Sequence, residues 1–258
     1  MNASIEKRLD IDSDLKRKLA SGIRKFFRDS GKSNAVVGLS GGVDSAVVCG
    51  LLAGALGPRR VFAYYLPYFP VKEDERHALL VSRKFGVRLE SVGIRPSVDA
   101  LAAAAGAADK SAVGNIMART RMALLYHFAR ENHALVVGTG NRTELLLGYF
   151  TKYGDGASDV LPLGMLYKTQ VWRLAGAMGI PGEIVARPPS AGLWPGQTDE
   201  YELGLKYPDA DSILVALADL KWGRKKAIGE FGAAKVSAVE NRMHAGRHKR
   251  LPPEILRV

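Results

Sequence analysis

Ala35-Val36-Val37-Gly38-Leu39-Ser40-Gly41-Gly42-Val43-Asp44-Ser45 joins three kinds of sequence in one short run. Ala35, Val36, Val37 and Leu39 are small, β-branched and apolar, as a buried parallel strand requires. Ser40-Gly41-Gly42 forms a tight turn almost free of side chains. Val43 to Leu56 then has the small, apolar content of a helix packed against a sheet. A strand, a glycine turn and a helix start gather unpaired backbone N–H groups around one point, with the helix dipole aimed there. Such a point binds anions, most often phosphate.

The details narrow the ligand. A Walker A loop needs a lysine after its second glycine, and none follows here. The spacing Gly-x-Gly-x-x-Gly is also absent. Asp44 stands where the lysine would be. A carboxylate beside a phosphate calls for a cation such as Mg²⁺ between them, or else Asp44 only complements the positive helix end. The segment resembles the pyrophosphate loop of the ATP pyrophosphatases, whose signature Ser-Gly-Gly-x-Asp-Ser matches Ser40 to Ser45. That resemblance implies cleavage of ATP between its α and β phosphates.

Outward from this run, strand-like and helical stretches alternate. Val61 to Leu66 and Val87 to Val92 are strand-like, with a helical stretch from Glu73 to Phe85 between them. Asn115 to Arg130 is an amphipathic helix, and Ala134 to Gly138 is a further buried strand. The alternation predicts an α/β fold with a doubly wound parallel sheet, whose ligands sit at the carboxyl ends of the strands. Asp10 to Arg28 reads as one amphipathic helix, with Asp12, Ser13 and Asp14 as candidate caps. Pro67 to Pro70 lies at a strand end and would either shape an adenine pocket or make a turn.

Asn115 and Arg119 share a helix face, and Arg119 and Arg121 are ligand candidates or solvated charges. Gly138-Thr139-Gly140-Asn141 precedes a helix, but Thr143 replaces the third glycine of a dinucleotide fingerprint. Glu144, three after Asn141, is placed to close a capping box and also to face Asp44. In Gly148 to Leu163, Lys152, Asp155 and Asp159 suit either a polar ligand or turns. Lys168 opens an amphipathic helix ending near Met178. Arg187 to Gln197 has no period and suggests a lid. Thr198 and Ser212 look like caps of two later helices in a small C-terminal helical annex, where Val236, Val239 and Met243 make the contacts.

The bulk numbers set limits. A chain of 258 residues can bury one full core, and 37 basic against 26 acidic residues leave a net charge of +11. That balance suits polyanionic ligands, but few aromatics interleave with the basic residues, so phosphorylated metabolites are favoured over nucleic acid. The single cysteine, Cys49, reads as a small core residue and rules out an internal disulfide. No signal peptide or membrane-crossing run is found, which points to the cytoplasm.

Several further segments carry a narrower resemblance. Gly114-Asn-x-x-Ala-Arg119-x-Arg-Met, Gly138-Thr-Gly-Asn, Glu144 and Gly148-Tyr-Phe-Thr-Lys-Tyr-Gly-Asp155 occur in order. Pro162-Leu, Leu166-Tyr-Lys168, Pro189-Ser-Ala-Gly-Leu-Trp, Gly196-Gln-Thr-Asp-Glu-x-Glu-Leu-Gly204 and His248-Lys-Arg250 follow. Together they resemble the ammonia-dependent NAD synthetases. The resemblance implies a single catalytic domain without a glutaminase domain, and a C–N-forming ligase acting last in NAD biosynthesis. In that reaction the nicotinate carboxylate of deamido-NAD takes AMP from ATP, and ammonia then displaces AMP.

By position, the resemblance assigns Gly38, Leu39, Ser40, Gly41, Gly42, Val43, Asp44 and Ser45 to the ATP phosphates, with Thr139, Lys168 and Ser190 as further ATP contacts. It gives Mg²⁺ to Asp44 and Glu144, and deamido-NAD to Arg119, Lys152, Asp159, His248 and Lys249. Asp44, Lys168 and Asp155 are the catalytic candidates. Family members are homodimers, so helix 115–130 and the one after it are the expected interface. The alternatives are a tRNA-thiolating or GMP-forming ATP pyrophosphatase, or a nucleotide sensor without turnover.

Overall fold

The computed structural model describes residues 2–256. Two helices, α1 (Ala3–Leu9) and α2 (Leu15–Asp29), precede the first strand, β1 (Asn34–Gly38). There follow α3 (Val43–Leu56), β2 (Val61–Tyr65), α4 (Lys72–Phe85), β3 (Arg88–Ser91) and α5 (Arg95–Ala105). Next come α6 (Lys110–Glu131), β4 (Ala134–Val137), α7 (Arg142–Leu147), α8 (Lys168–Ala177) and α9 (Gly182–Val185). The chain closes with α10 (Asp199–Leu203), α11 (Tyr207–Leu214), α12 (Arg224–Phe231) and α13 (Ala233–Ala245).

The strands form one parallel sheet in the order β3-β2-β1-β4. The chain moves outward from β1 through β2 to β3, then crosses to β4 on the other side of β1. The strand order therefore reverses between β1 and β4, and the crevice at their carboxyl ends is where such a sheet binds its ligand. The backbone dictates this, whatever the side chains are.

Both faces of the sheet are covered, which explains the unbroken apolar runs in β1 and β4. One face packs Val37 and Ala63 against Phe27 of α2, Val47 and Leu51 of α3, and Leu174 of α8. The other packs Val36 and Tyr64 against Val98 of α5 and Met117 and Phe128 of α6. A third core holds the annex together through Tyr207, Ile213, Val236 and Val239, and Ile5 and Leu9 of α1 join it.

Three boundaries differ from the sequence expectation. The helix expected over Asp10 to Arg28 is α2 and starts only at Leu15, because the Asp12 carboxylate takes the Asp14 N–H at 2.9 Å and turns the chain there; α1 lies wholly before that stretch. The helix expected from Asn115 begins at Lys110, capped by Asp109, whose carboxylate accepts from the N–H groups of Ser111 and Ala112. Ser212 lies inside α11 rather than at its N-cap: its hydroxyl donates to Pro208 O, and Lys206 holds the N-cap position. Thr198 does occupy the N-cap of α10, though without a side-chain cap bond.

Candidate active site

At the carboxyl end of β1, Ser40, Gly41 and Gly42 turn the chain into α3. The Ser45 hydroxyl donates to Gly42 O at 2.9 Å, and the Ser40 hydroxyl accepts from Gly42 N at 3.3 Å, closing the turn. The first amide bonded within the helix is Ala46 N, to Gly42 O. The amides of Val43, Asp44 and Ser45 thus open the helix with no intrahelical acceptor. Gly41 has a φ of +87°, and a Cβ there would lie 2.5 Å from the Asp74 carbonyl oxygen, so only glycine fits.

Across the crevice, the end of β4 leads into α7. Asn141 and Glu144 form the full capping box: the Asn141 side chain accepts from Glu144 N, and Glu144 Oε2 accepts from Asn141 N at 3.2 Å. The other side-chain atoms of the box reach the cluster. Asn141 Nδ2 donates to Asp44 Oδ1 at 2.9 Å. Lys168 Nζ donates to Asp44 Oδ2 at 2.6 Å and to Glu144 Oε1 at 3.1 Å. Glu144 thus both closes the cap and faces Asp44 across Lys168, so the two sequence readings of it are one arrangement.

The three charges sit where water is scarce, Lys168 with 3% of its side chain exposed and each acid with 18%. Burial pushes the Glu144 carboxyl up to about 7, against the opposing pull of Lys168. Burial alone would depress the Lys168 ammonium; Asp44 and Glu144 outweigh it and hold the group above its ordinary value. A lysine in this setting is a permanent cation at neutral pH.

Lys168 is positioned by groups that the sequence reading did not single out. Its backbone N–H donates to Thr143 Oγ1 at 2.9 Å, and Thr143 Oγ1 donates to Asp211 Oδ1 at 2.6 Å. Asp211 Oδ2 accepts from Thr169 N at 2.8 Å. One fully buried carboxylate on α11 therefore fastens the starts of both α7 and α8. Nearby, Asp199 accepts from the hydroxyls of Tyr207 at 2.9 Å and Tyr149 at 3.2 Å, and the Tyr207 ring lies 5.1 Å from Lys168 Nζ.

The remaining candidates from sequence occupy a neighbouring region. Thr139, Gly140 and Glu144 line a small cavity of about 40 Å³ together with Phe150 and Asp155. Asp155 Oδ1 accepts from Thr151 N at 2.8 Å, and Asn115 accepts from the Thr151 hydroxyl at 2.8 Å. Arg119 Nε donates to Lys152 O at 3.4 Å, and Lys152 Nζ donates to His248 O at 2.9 Å. Lys249 Nζ donates to Gly148 O and Phe150 O, both at 2.8 Å. Asp159 Oδ2 accepts from Val136 N at 2.7 Å, at the edge of β4. Ser190 is exposed in the 187–197 loop, its hydroxyl accepting from Gly192 N at 3.1 Å. The structure therefore brings Asp44, Glu144 and Lys168 into direct contact and leaves Ser190 apart. It commits Lys152 and Lys249 to backbone carbonyls, and Asp159 to Val136 N and the Tyr126 hydroxyl.

Residues 15–253 match the family described as NAD synthase. The chain belongs to that family. It is 44% identical to the NH(3)-dependent NAD(+) synthetase of Thermococcus kodakarensis, over 91% of this chain and 93% of that one. Among solved structures, an NH3-dependent NAD synthetase from Campylobacter jejuni superposes with a TM-score of 0.83 at 29% identity, covering 96% of this chain and 100% of the other. An NMN synthetase from Francisella tularensis superposes with a TM-score of 0.84 at 32% identity, over 96% and 100% of the two chains. Both likenesses extend over the sheet and the annex. The α/β fold and the family expected from the sequence motifs agree with these NAD synthase relatives, which are ligases by name.

Proposed function

We propose that this member of the NAD synthase family amidates deamido-NAD with ammonia at the expense of ATP, releasing AMP and pyrophosphate. The observation that carries the reading is the meeting of Asp44, Glu144 and Lys168 beside a side-chain-poor turn at the β1/β4 reversal. The amides opening α3 receive phosphate oxygens, and the Lys168 ammonium meets charge that accumulates around the α-phosphorus. The substrate carboxylate forms a bond to that phosphorus while the bond to the bridging oxygen breaks. Pyrophosphate leaves, and the carboxyl carbon now bears AMP as a good leaving group for ammonia. The chain's share of the work is positioning and charge stabilisation, with little proton transfer.

Asp44 and Glu144 suit Mg²⁺. They are hard oxygen donors already bridged by a cation, the Lys168 ammonium, and Mg²⁺ is commonly held by one or two carboxylates plus substrate phosphates. These two residues would hold it, and the ion would neutralise phosphate charge during displacement. Deamido-NAD then lies toward Arg119, Lys152, Asp155, Asp159, His248 and Lys249, whose loop and tail interlock. The 187–197 loop closes over ATP with Ser190. The sheet and annex act as one catalytic unit, supported by Lys249 and by Arg250, whose guanidinium donates to Leu145 O and Leu146 O. A homodimer through α6 and α7 is supported by the partly uncovered Ile116, Leu124, Tyr126 and Phe128. Among the described residues no helix is long and apolar enough to cross a membrane, in keeping with a cytoplasmic enzyme.

Incubation with ATP, Mg²⁺, ammonium and deamido-NAD tests the reading, with NAD, AMP and pyrophosphate as the expected products. The solved NMN synthetase makes nicotinate mononucleotide the rival substrate to offer in parallel. ADP as product, or a clear preference for the mononucleotide, would overturn the assignment.

A further inference from the structure

Arg187 is the only cation of the 187–197 loop, and its guanidinium pairs with Asp74. The two side chains are 31% and 23% exposed, so the pair is half-covered and within reach of a ligand. Asp74 belongs to the first turn of α4, and that turn presses on the phosphate turn through its contact at Gly41. The base of the loop is anchored on the same helix: Arg76 donates to Glu183 through two bonds, at 2.9 and 2.5 Å. Its far side is tied by Asp199 N to Pro189 O at 2.9 Å. Next to the pair, Arg121 Nε donates to Leu66 O at 3.0 Å, and the Tyr65 hydroxyl, pushed up mainly by burial, also feels Asp74 and Glu75 and, in the opposite sense, both arginines. Arg121 and Arg187 thus gather with Asp74 and Glu75 of the acidic first turn of α4 at the carboxyl end of β2, one strand away from the cluster around Lys168.

The cluster around Lys168 has no positive charge to spare, since its one ammonium faces two carboxylates. A triphosphate brings several more negative charges, and the outer two phosphates gain charge when the bond from the α-phosphorus to the bridging oxygen breaks and its electron pair departs with pyrophosphate. A guanidinium can donate bidentately to those phosphate oxygens, where it now meets Asp74 through Nη1 alone. We propose that Arg187 is a phosphate ligand of this site, which leaves Asp74 for the β- and γ-phosphate oxygens of ATP and stays on the departing pyrophosphate. Asp74 is its competitor in the nucleotide-free enzyme and keeps the cation beside the cradle. This role rests on the ATP-cleaving reading above.

A mutant cycle tests it on the full chain, using binding of Mg²⁺–α,β-methylene-ATP, which cannot be cleaved at that bond, alongside the rate of pyrophosphate formation. Arg187→Met should weaken nucleotide binding at least tenfold and slow pyrophosphate formation, and Arg187→Lys should restore part of both. Asp74→Asn should tighten binding about threefold when Arg187 is present and do nothing when Arg187 is methionine. If the pair only pins the loop, both single variants weaken binding alike, and that result overturns the proposal. So does unchanged binding in Arg187→Met, with thermal unfolding of each variant showing that it is folded. Wild-type protein that releases no pyrophosphate from ATP and deamido-NAD would sink the parent reading instead, which separates the two failures.

Discussion

Lys168 and Lys249 are both lysines turned inward, and they are used in opposite ways. Lys168 lies between two side-chain carboxylates at the reversal point of the sheet. Lys249 lies against two main-chain carbonyls, those of Gly148 and Phe150, and burial lowers its tendency to hold a proton. Carboxylates can exchange one cation for another, so a lysine among them is placed for ligand chemistry. Main-chain carbonyls are fixed to the fold, so a lysine on them clamps a loop. Under the proposed reaction, the difference separates a residue that touches the reacting atoms from one that shapes the wall around them.

The largest effect that would expose this difference is at Lys168. Lys168→Gln should lower the single-turnover rate of pyrophosphate release by roughly 10²–10³, as for loss of one preorganised charge donor. Retention of more than a tenth of the wild-type rate would erase the distinction between the lysines. Asp44→Asn should come next, with a rate loss of about 10- to 100-fold and a rise in the Mg²⁺ concentration needed for half-maximal rate. An unchanged Mg²⁺ titration would reduce Asp44 to a helix-end charge.

Lys249→Met should act differently. Leaving buried carbonyls without donors costs about 1–3 kcal/mol, which lowers the unfolding midpoint by a few degrees in a chain of this size. The KM for deamido-NAD should rise more than that for ATP, whereas a uniform fall in kcat would put Lys249 among the reacting groups. The smallest effect expected is at Cys49. Burial pushes its thiol up to about 12, so a thiol reagent at pH 8 should leave it unmodified in the native wild type and in all three variants, and label it in denaturant. Rapid native labelling of any one variant would show that its kinetics report a damaged core.

The strands were legible because both faces of the sheet are buried and their sequences carry no polar alternation; β1, β2 and β4 lie within a residue or so of the expected bounds. The phosphate turn was legible for a related reason, since few sequences other than glycine can pass Asp74 at Gly41. Start signals misled where two competed. Asn115 as a helix start and Ser212 as a cap are reasonable in isolation, but Asp109 lies upstream of one and Pro208 already opens the helix containing the other. Asp44, Glu144 and Lys168 were named from motifs, yet their contact spans 124 residues between Asp44 and Lys168, and no local pattern encodes that. Asp211 was missed because its sequence neighbours are ordinary helix residues and its partners lie on two other helices.

That last residue has a consequence for redesign. Because a single carboxylate gauges where two helices begin, the acid of α7 and the ammonium of α8 are not portable as a pair. A graft of both helices onto another scaffold would transfer the two charged groups without the ruler that spaces them, unless the third helix travels too.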